Sequence, residues 1–419
     1  MSETNQNSAL RLDDAPFELP QSFYSRTDKR GVIAAGNATF QSVSGFEWDE
    51  LIGAPHRVVR NHETPRAVFR TMWGIIQADE IAVAYVRNKT KDGRGYWVIA
   101  VILPIETGYI SLRIKPTSPL FAKVRAIYSD IAAAESGEGT SVEDSEARLF
   151  AALADHGYDS YRTFQRAAFQ AEFRARSLAL SPKLKSYYND IDRIAAGLAA
   201  IKGAQSQLLT AIESLRDLPT NMRIVASRLE PSGGPLSAMS DIYNSTSAVL
   251  FQEITDFALG HQNICRRMES AYDNSCFLKS VSLLIEEVSA NTSAADLQGI
   301  GVDAQIEIKT FGDAAALFVA QERESLQTAE RLSQDLNRAS YDLRRSMLGL
   351  DTIRVMGLVE SGRLGAEGSR IGATMEQIGT CHSTIIALLQ SIKDNATVIN
   401  SGVMGLRAHF QKRGAMAAN

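Results

Sequence analysis

Four apolar stripes, each alternating spacings of three and four residues, constrain the fold of this chain more than any other feature. The first runs from Leu184 through Ile194, Ile201 and Leu208 to Leu215, and only Gln205 departs from apolar or aromatic chemistry. The second runs from Leu250 to Val288, the third from Ala329 to Ile353, and the fourth from Ile385 to Phe410. Residues so spaced share one narrow helical face, and such a face is buried against helices of the same kind. Breakers separate the stripes: Pro231 to Pro235, Ser289 to Gly301, and Ser361 to Gly368. Arms of about 45–55 residues give a rod of roughly 70–80 Å. Matched arms of this sort close best as a long antiparallel four-helix bundle. Pro219 lies inside the first arm and is expected to kink it.

The chain ahead of residue 118 reads differently. Short β-rich runs (Gly31 to Ile33, Ile81 to Arg87, Tyr96 to Leu103, Tyr109 to Ile114) are separated by Gly and Asp turns, and Lys91-Asp92-Gly93 marks a hairpin. Helical stretches at Asn37 to Ser44 and Arg66 to Ala78 lie between the first run and that hairpin. The order predicts a small α+β domain with one antiparallel sheet. Shorter helices over 120–134 and 142–178 connect it to the bundle. The expected layout is a flexible 1–18, the α+β domain over 19–118, connecting helices over 119–180, a bundle over 181–412 with turns near 231–235 and 361–369, and a tail over 413–419.

Composition narrows the function. Charged residues make up 22% of the 419 positions and the net charge is −4, so no strong field points to nucleic acid or an anionic membrane. No apolar run is long enough to span a bilayer. Residues 1–15 lack the layout of a secretory signal, and a cytoplasmic location is expected. The three cysteines, Cys265, Cys276 and Cys381, are too far apart for a metal or disulfide motif and read as core residues of a reduced protein. No metal site is expected.

Three ordered motifs carry a resemblance. Asn37-Ala38-Thr39-Phe40 with Val43-Ser44-Gly45-Phe46 and Glu50-Leu51-Ile52-Gly53 resembles the opening of a PAS domain. Val59 to Trp73, Val86 to Val98 and Ser111 to Thr117 are similar to the PAS domain of bacterial aerotaxis receptors, over residues from about 20 to 120. The resemblance implies an α+β PAS domain ahead of the all-α bundle, and non-covalent FAD held by Asn37, Arg60, Asn61, Glu63 and Trp73. Arg60 suits a phosphate or flavin carbonyl. Trp73 suits the ring face, and Asn37 suits a flavin edge. The chain departs from the family pattern at Asn61, where His is usual, at Glu63, where Asp is usual, and at Ala82, where Trp is usual. Plainer roles stand beside these: Trp73 as core, and Arg60 with Glu63 as an i,i+3 pair. A cysteinyl-adduct light sensor is disfavoured because no cysteine precedes Cys265. Haem on His56 or His62 is a minor alternative.

The helical part carries no kinase, cyclase or DNA-binding signature, no P-loop and no nucleophile elbow, so no enzyme is expected. His261 and His382 lack the flanking residues of a phospho-acceptor and read as core or boundary positions. Glu360 to Gly368 faintly resembles the tip of chemoreceptor signalling hairpins, and the stretches around the two turns look like a weak internal duplication. The resemblance implies a partner-binding tip with Glu230, Glu360, Arg363 and Glu367, facing a chemotaxis-type kinase or coupling protein. Glu286-Glu287 reads as a solvated acid pair. The expectation is a PAS-domain signal transducer, with a homodimer left open. The competing readings are a scaffold whose PAS domain only mediates assembly, and a flavoprotein oxidoreductase.

Overall fold

The computed structural model describes residues 14–137, 139–216, 218–227, 234–260, 263–366 and 368–417. Two compact units divide the chain: Met1–Leu184 with Ser275–Glu322, and Lys185–Asn274 with Arg323–Asn419.

The first unit is built on one antiparallel sheet of order β2-β1-β5-β4-β3. Its strands are β1 (Ser22–Asp28), β2 (Ile33–Gly36), β3 (Ala82–Lys89), β4 (Gly95–Ile105) and β5 (Gly108–Ile114). The expected hairpin joins β3 to β4, with Gly93 at φ 89° in its turn. Four of the strands match expected runs; β1, with the sequence SFYSRTD, was not expected. It carries polar side chains on both faces, and each face finds partners. Helices α1 (Ala38–Ser44), α2 (Trp48–Leu51) and α3 (Arg66–Gln77) cover one face of the sheet. Proline at the N-cap of α3 removes a donor where none is needed and sets the chain's entry.

The other face is covered by helices. Trp97 of β4 packs on Phe121 and Tyr128 of α4 (Pro119–Glu135). Next come α5 (Val142–Asp155) and α6 (Tyr161–Leu180), broken at Gly157, whose φ of 85° suits glycine. Gln165 of α6 satisfies the edge strand, its Oε1 accepting from Val83 N at 2.9 Å. Glu172 of α6, wholly buried, accepts from the Tyr85 hydroxyl, the Ser118 hydroxyl and the backbone N–H groups of Thr117 and Ser118.

Residues 275–322, which the seams assign to the bundle, belong to this unit because Phe277, Val281, Ile285, Phe311 and Phe318 join its core. They lie in α10 (Ile264–Ala290), α11 (Ala294–Gln298) and the first part of α12 (Ala304–Arg363). Glu287 is not a solvated acid: it takes both Nη1 and Nη2 of the buried Arg176, at 2.6 Å each. Residues 14–18, expected to be flexible, are likewise pinned. Ala15 N donates to Gly95 O, and Phe17 packs edge-on against Phe23.

The second unit holds α7 (Lys185–Leu215), α8 (Leu218–Ser227), α9 (Gly234–Leu259), the start of α10, most of α12 and α13 (Ser369–Ala417). Contacts descend in opposite directions along α12 and α13, from Glu330 with Arg407 through Ser333 with Ala396 to Arg344 with Gln390. Along α7 and α13, Ile194 meets Gly402 and Gly197 meets Ile399, again antiparallel. The helices form the long antiparallel bundle that the seams demand. Two details differ. The second arm is interrupted between Leu259 and Ile264, and the first between Leu215 and Leu218. Pro219 thus falls in the first turn of a new helix, where its missing N–H breaks no bond. Among the described residues no helix is long and apolar enough to cross a membrane.

Candidate functional site: a cationic cavity against the sheet

A cavity of about 480 Å³ opens between the inner face of the sheet and α3. That is the size of small-molecule sites. Val86, Ala100 and Ile102 make its apolar floor, and Phe69, Met72, Trp73 and Tyr109 its wall. Trp73 stands edge-on to Tyr109 at 5.7 Å. A Cβ at Gly31, whose φ is +79°, would come within 3.3 Å of the Trp73 ring, so a glycine is needed there for two reasons.

Polar groups converge on this apolar space. Asn88, Ser111 and Arg113 are each buried and line the cavity; Asn88 lies beside the Tyr96 hydroxyl, and Ser111 Oγ has no hydrogen-bond partner among the described residues. Arg113 Nη1 donates to Ser25 Oγ at 3.0 Å and to Ser111 O at 3.1 Å, and Nη2 donates to His56 Nε2 at 2.7 Å. No carboxylate pairs with it among the described residues, and burial lowers its pKa to about 10. His56, half-buried and stacked on Phe40, is neutral: burial and the Arg113 charge push its pKa down to about 3. Arg30, Arg57 and Arg60 also line the cavity, and among the described residues no carboxylate does. The site is suited to a flat, partly apolar ligand with acceptor atoms and negative charge.

The nominated residues divide. Arg60 and Trp73 line the cavity, and the Arg60 guanidinium lies 3.9 Å over the Phe69 ring. Partial burial lowers the Arg60 pKa, with the Glu135 carboxylate opposing. Asn37 does not reach the cavity. It caps α1, its Oδ1 accepting from Phe40 N and Tyr24 N. Asn61 folds the turn into α3, accepting from Glu63 N at 2.9 Å. Glu63 pairs with Arg87 rather than Arg60, and Arg87 also holds Asp14 at 2.8 Å. His62 and Glu63 border a separate hollow beside α4 and Trp97. Ala82 is buried in β3 outside the cavity. Sequence reasoning missed Asn88, Ser111 and Arg113, although all three lie within the motifs that carry the resemblance.

At the tip, Arg363 pairs with Glu360 at 2.9 Å at the end of α12, and Gly365 turns the chain at φ 58°. Glu230, Glu367 and residues 231–233 of the expected first turn lie outside the described residues, as does His261, while Gly234 and Pro235 open α9.

No family model matches the chain. The sequence is 34% identical over 140 residues to the aerotaxis receptor of Escherichia coli (strain K12), covering 32% of this chain and 26% of that protein. It is 31% identical over 102 residues to the bacterioopsin transcriptional activator of Halobacterium salinarum, covering 24% of this chain and 15% of that one. The chain thus spans about a quarter or less of the length of these curated relatives. A solved fungal LOV domain photoreceptor matches with a TM-score of 0.20 at 19% identity, covering 26% of this chain and 81% of the other. The N-terminal sheet, its covering helices and the cavity between them form a PAS domain similar to that of the aerotaxis receptor, here followed by a long helical bundle.

Proposed function

We propose that this chain is a signal transducer whose PAS cavity holds FAD non-covalently, senses redox state or a related small ligand, and passes the change to a helical bundle that binds a signalling partner. One observation carries the reading: buried polar side chains, among them Ser111 Oγ with no hydrogen-bond partner among the described residues, line an apolar cavity whose charged lining side chains, among those residues, are all cationic. Leaving such groups without partners costs about 1–3 kcal/mol each, so they favour an occupant. Asn88, Ser111 and Arg113 would take the polar edge of a flavin, Trp73 and Phe69 its flat face, and Arg30, Arg57 and Arg60 its phosphates. Bound flavin would supply reversible electron uptake. The chain's own part is to orient the ring, exclude water and set the local charge.

Haem is less well served. His56 Nε2 already accepts from Arg113, and His62 lies outside the cavity. A PAS domain serving only as an assembly module would have no use for the polar groups. The proposed partner is a chemotaxis-type kinase or coupling protein at the tip around Glu360 and Arg363, and the proposed location is the cytoplasm.

The visible spectrum of the purified protein, before and after mild reduction, tests the cofactor. A flavin spectrum that bleaches reversibly, and is lost in Arg113→Met, is expected. A protein that stays colourless after incubation with FAD overturns the flavin reading. Capture of a chemotaxis kinase with its coupling protein tests the output, and no capture in either redox state would sink it.

A further inference from the structure

Strand β1 separates the cavity from the root of α12, and three consecutive residues connect them. Ser25 points inward. Its Oγ accepts from Arg113 Nη1 at 3.0 Å and lies 3.2 Å from His56 Nε2. Its neighbours point outward, as strand alternation requires. Arg26 Nε donates to both oxygens of the Glu307 carboxylate, at 3.1 and 2.9 Å, and the Glu307 side chain is only 1% exposed. Tyr24 meets the Phe311 ring edge-on at 4.8 Å. Glu307 and Phe311 are four residues apart on one face of α12, and that helix runs unbroken from Ala304 to Arg363.

We propose that β1 is the transmission element of this protein: a change of charge or occupancy at Arg113 moves Ser25, and the strand carries Arg26 and Tyr24 with it against Glu307 and Phe311 of α12. This rests on the reading that the cavity takes a ligand, but it names a route that the sequence does not suggest. The helices α4 to α6, which follow the sheet in the chain, offer the alternative path. They are held at Tyr85, Thr117 and Ser118 through Glu172, away from Arg113's contacts. Separating a buried carboxylate from the cation that pairs with it is costly. The strand therefore either carries α12 along or leaves Glu307 buried without its cation. That makes the contact two-state, and a two-state contact can transmit.

Hydrogen exchange of the full chain tests the route without any ligand. Ser25→Ala removes the inward contact, and exchange in the peptide covering 304–322 is expected to change by about threefold or more, with α4 to α6 unaltered. Adding Arg26→Gln is expected to abolish that response. The reverse perturbation, Glu307→Gln, should alter exchange in β1 and guards against a Ser25 variant that does not fold. A response confined to α4–α6, or none in 304–322 from either variant, overturns the proposal. FAD added in a parallel arm, then reduced with dithionite, tests the cofactor alone. If FAD fails to bind, the flavin reading falls, while the variant arms still decide the route.

Discussion

Arg113 donates from Nη2 to Nε2 of His56 across 2.7 Å, a contact that exists only while the imidazole is neutral. The folded state therefore disfavours a proton that the unfolded chain accepts near pH 6.5, and the His56 pKa falls to about 3. The contribution of the neutral ring to stability is complete above pH 6.5 and is lost as the pH falls from there toward 3. By pH 5 the loss is about 2 kcal/mol. Urea unfolding at pH 7.5 and pH 5.0 measures it. His56→Gln keeps an acceptor without the titration, so its stability should fall less over that interval. Equal losses in the two proteins would show that His56 does not set this dependence.

Glu172 organises the join between the sheet and α4. One carboxylate oxygen accepts from the hydroxyls of Tyr85 and Ser118, the other from the N–H groups of Thr117 and Ser118. Every neighbour is a donor, so a side-chain amide cannot replace the carboxylate without placing N–H against N–H or O–H. Glu172→Gln is expected to cost about 3 kcal/mol, and Tyr85→Phe, which removes one donor, about 1 kcal/mol. Thermal unfolding in the two variants checks the order. A Gln variant as stable as wild type would mean the site tolerates an amide.

The architecture was legible where one periodicity ran on without a break. The 3-4 spacing of Ile194, Leu198, Ile201 and Leu208 needs no tertiary partner to be recognised, and all four are buried. Likewise, Lys91-Asp92-Gly93 marks the hairpin by local chemistry alone. Strand β1 was hidden because both its faces are covered. Ser25 meets Arg113 on the inner face and Arg26 meets Glu307 on the outer, so no apolar–polar alternation survives in SFYSRTD. The cavity was half legible. Trp73 and Arg60 stand out by residue type, but the roles of Asn88 and Arg113 depend on strand pairing, which sets the face each presents. Asn37 could be read two ways, because an amide that suits a flavin edge equally suits a helix N-cap, and the structure places it at the N-cap of α1. Residues 275–322 were assigned to the bundle because a seam shows that a helix face is buried, not what buries it.

Glycines on both α7 and α13 set how closely the two helices approach. A Cβ at Gly402 would sit 2.5 Å from Ile194 Cγ1, and one at Gly197 would sit 2.9 Å from Ile399 Cγ1. Gly402→Ala should cost about 1–3 kcal/mol through overpacking, despite the better helix propensity of alanine. Shortening Ile194 to Val in that background should restore part of the loss, whereas Ile194→Val alone should destabilise by about 1 kcal/mol. Denaturation of the two single variants and the double variant measures the coupling, and strict additivity would contradict the contact.

A buried histidine belongs to the bundle itself. His382, nearly inaccessible, accepts from the Tyr243 hydroxyl at Nε2 (2.7 Å) and donates from Nδ1 to Asp351 at 3.1 Å, while Arg354 holds the same carboxylate. Burial lowers the His382 pKa although Asp351 opposes, and Arg354, foremost, lowers that of Asp351. The ring is thus neutral when folded, and its contribution declines as the pH falls below the ordinary imidazole range. Tyr243→Phe leaves Nε2 without a donor and Asp351→Asn weakens the acceptor at Nδ1. Each is expected to cost about 1–2 kcal/mol. Because both substitutions act on one ring, the double variant should lose less than the sum, by about 0.5–1 kcal/mol. A cycle measured by urea unfolding at pH 7.5 that closes to zero would show that the two bonds are independent.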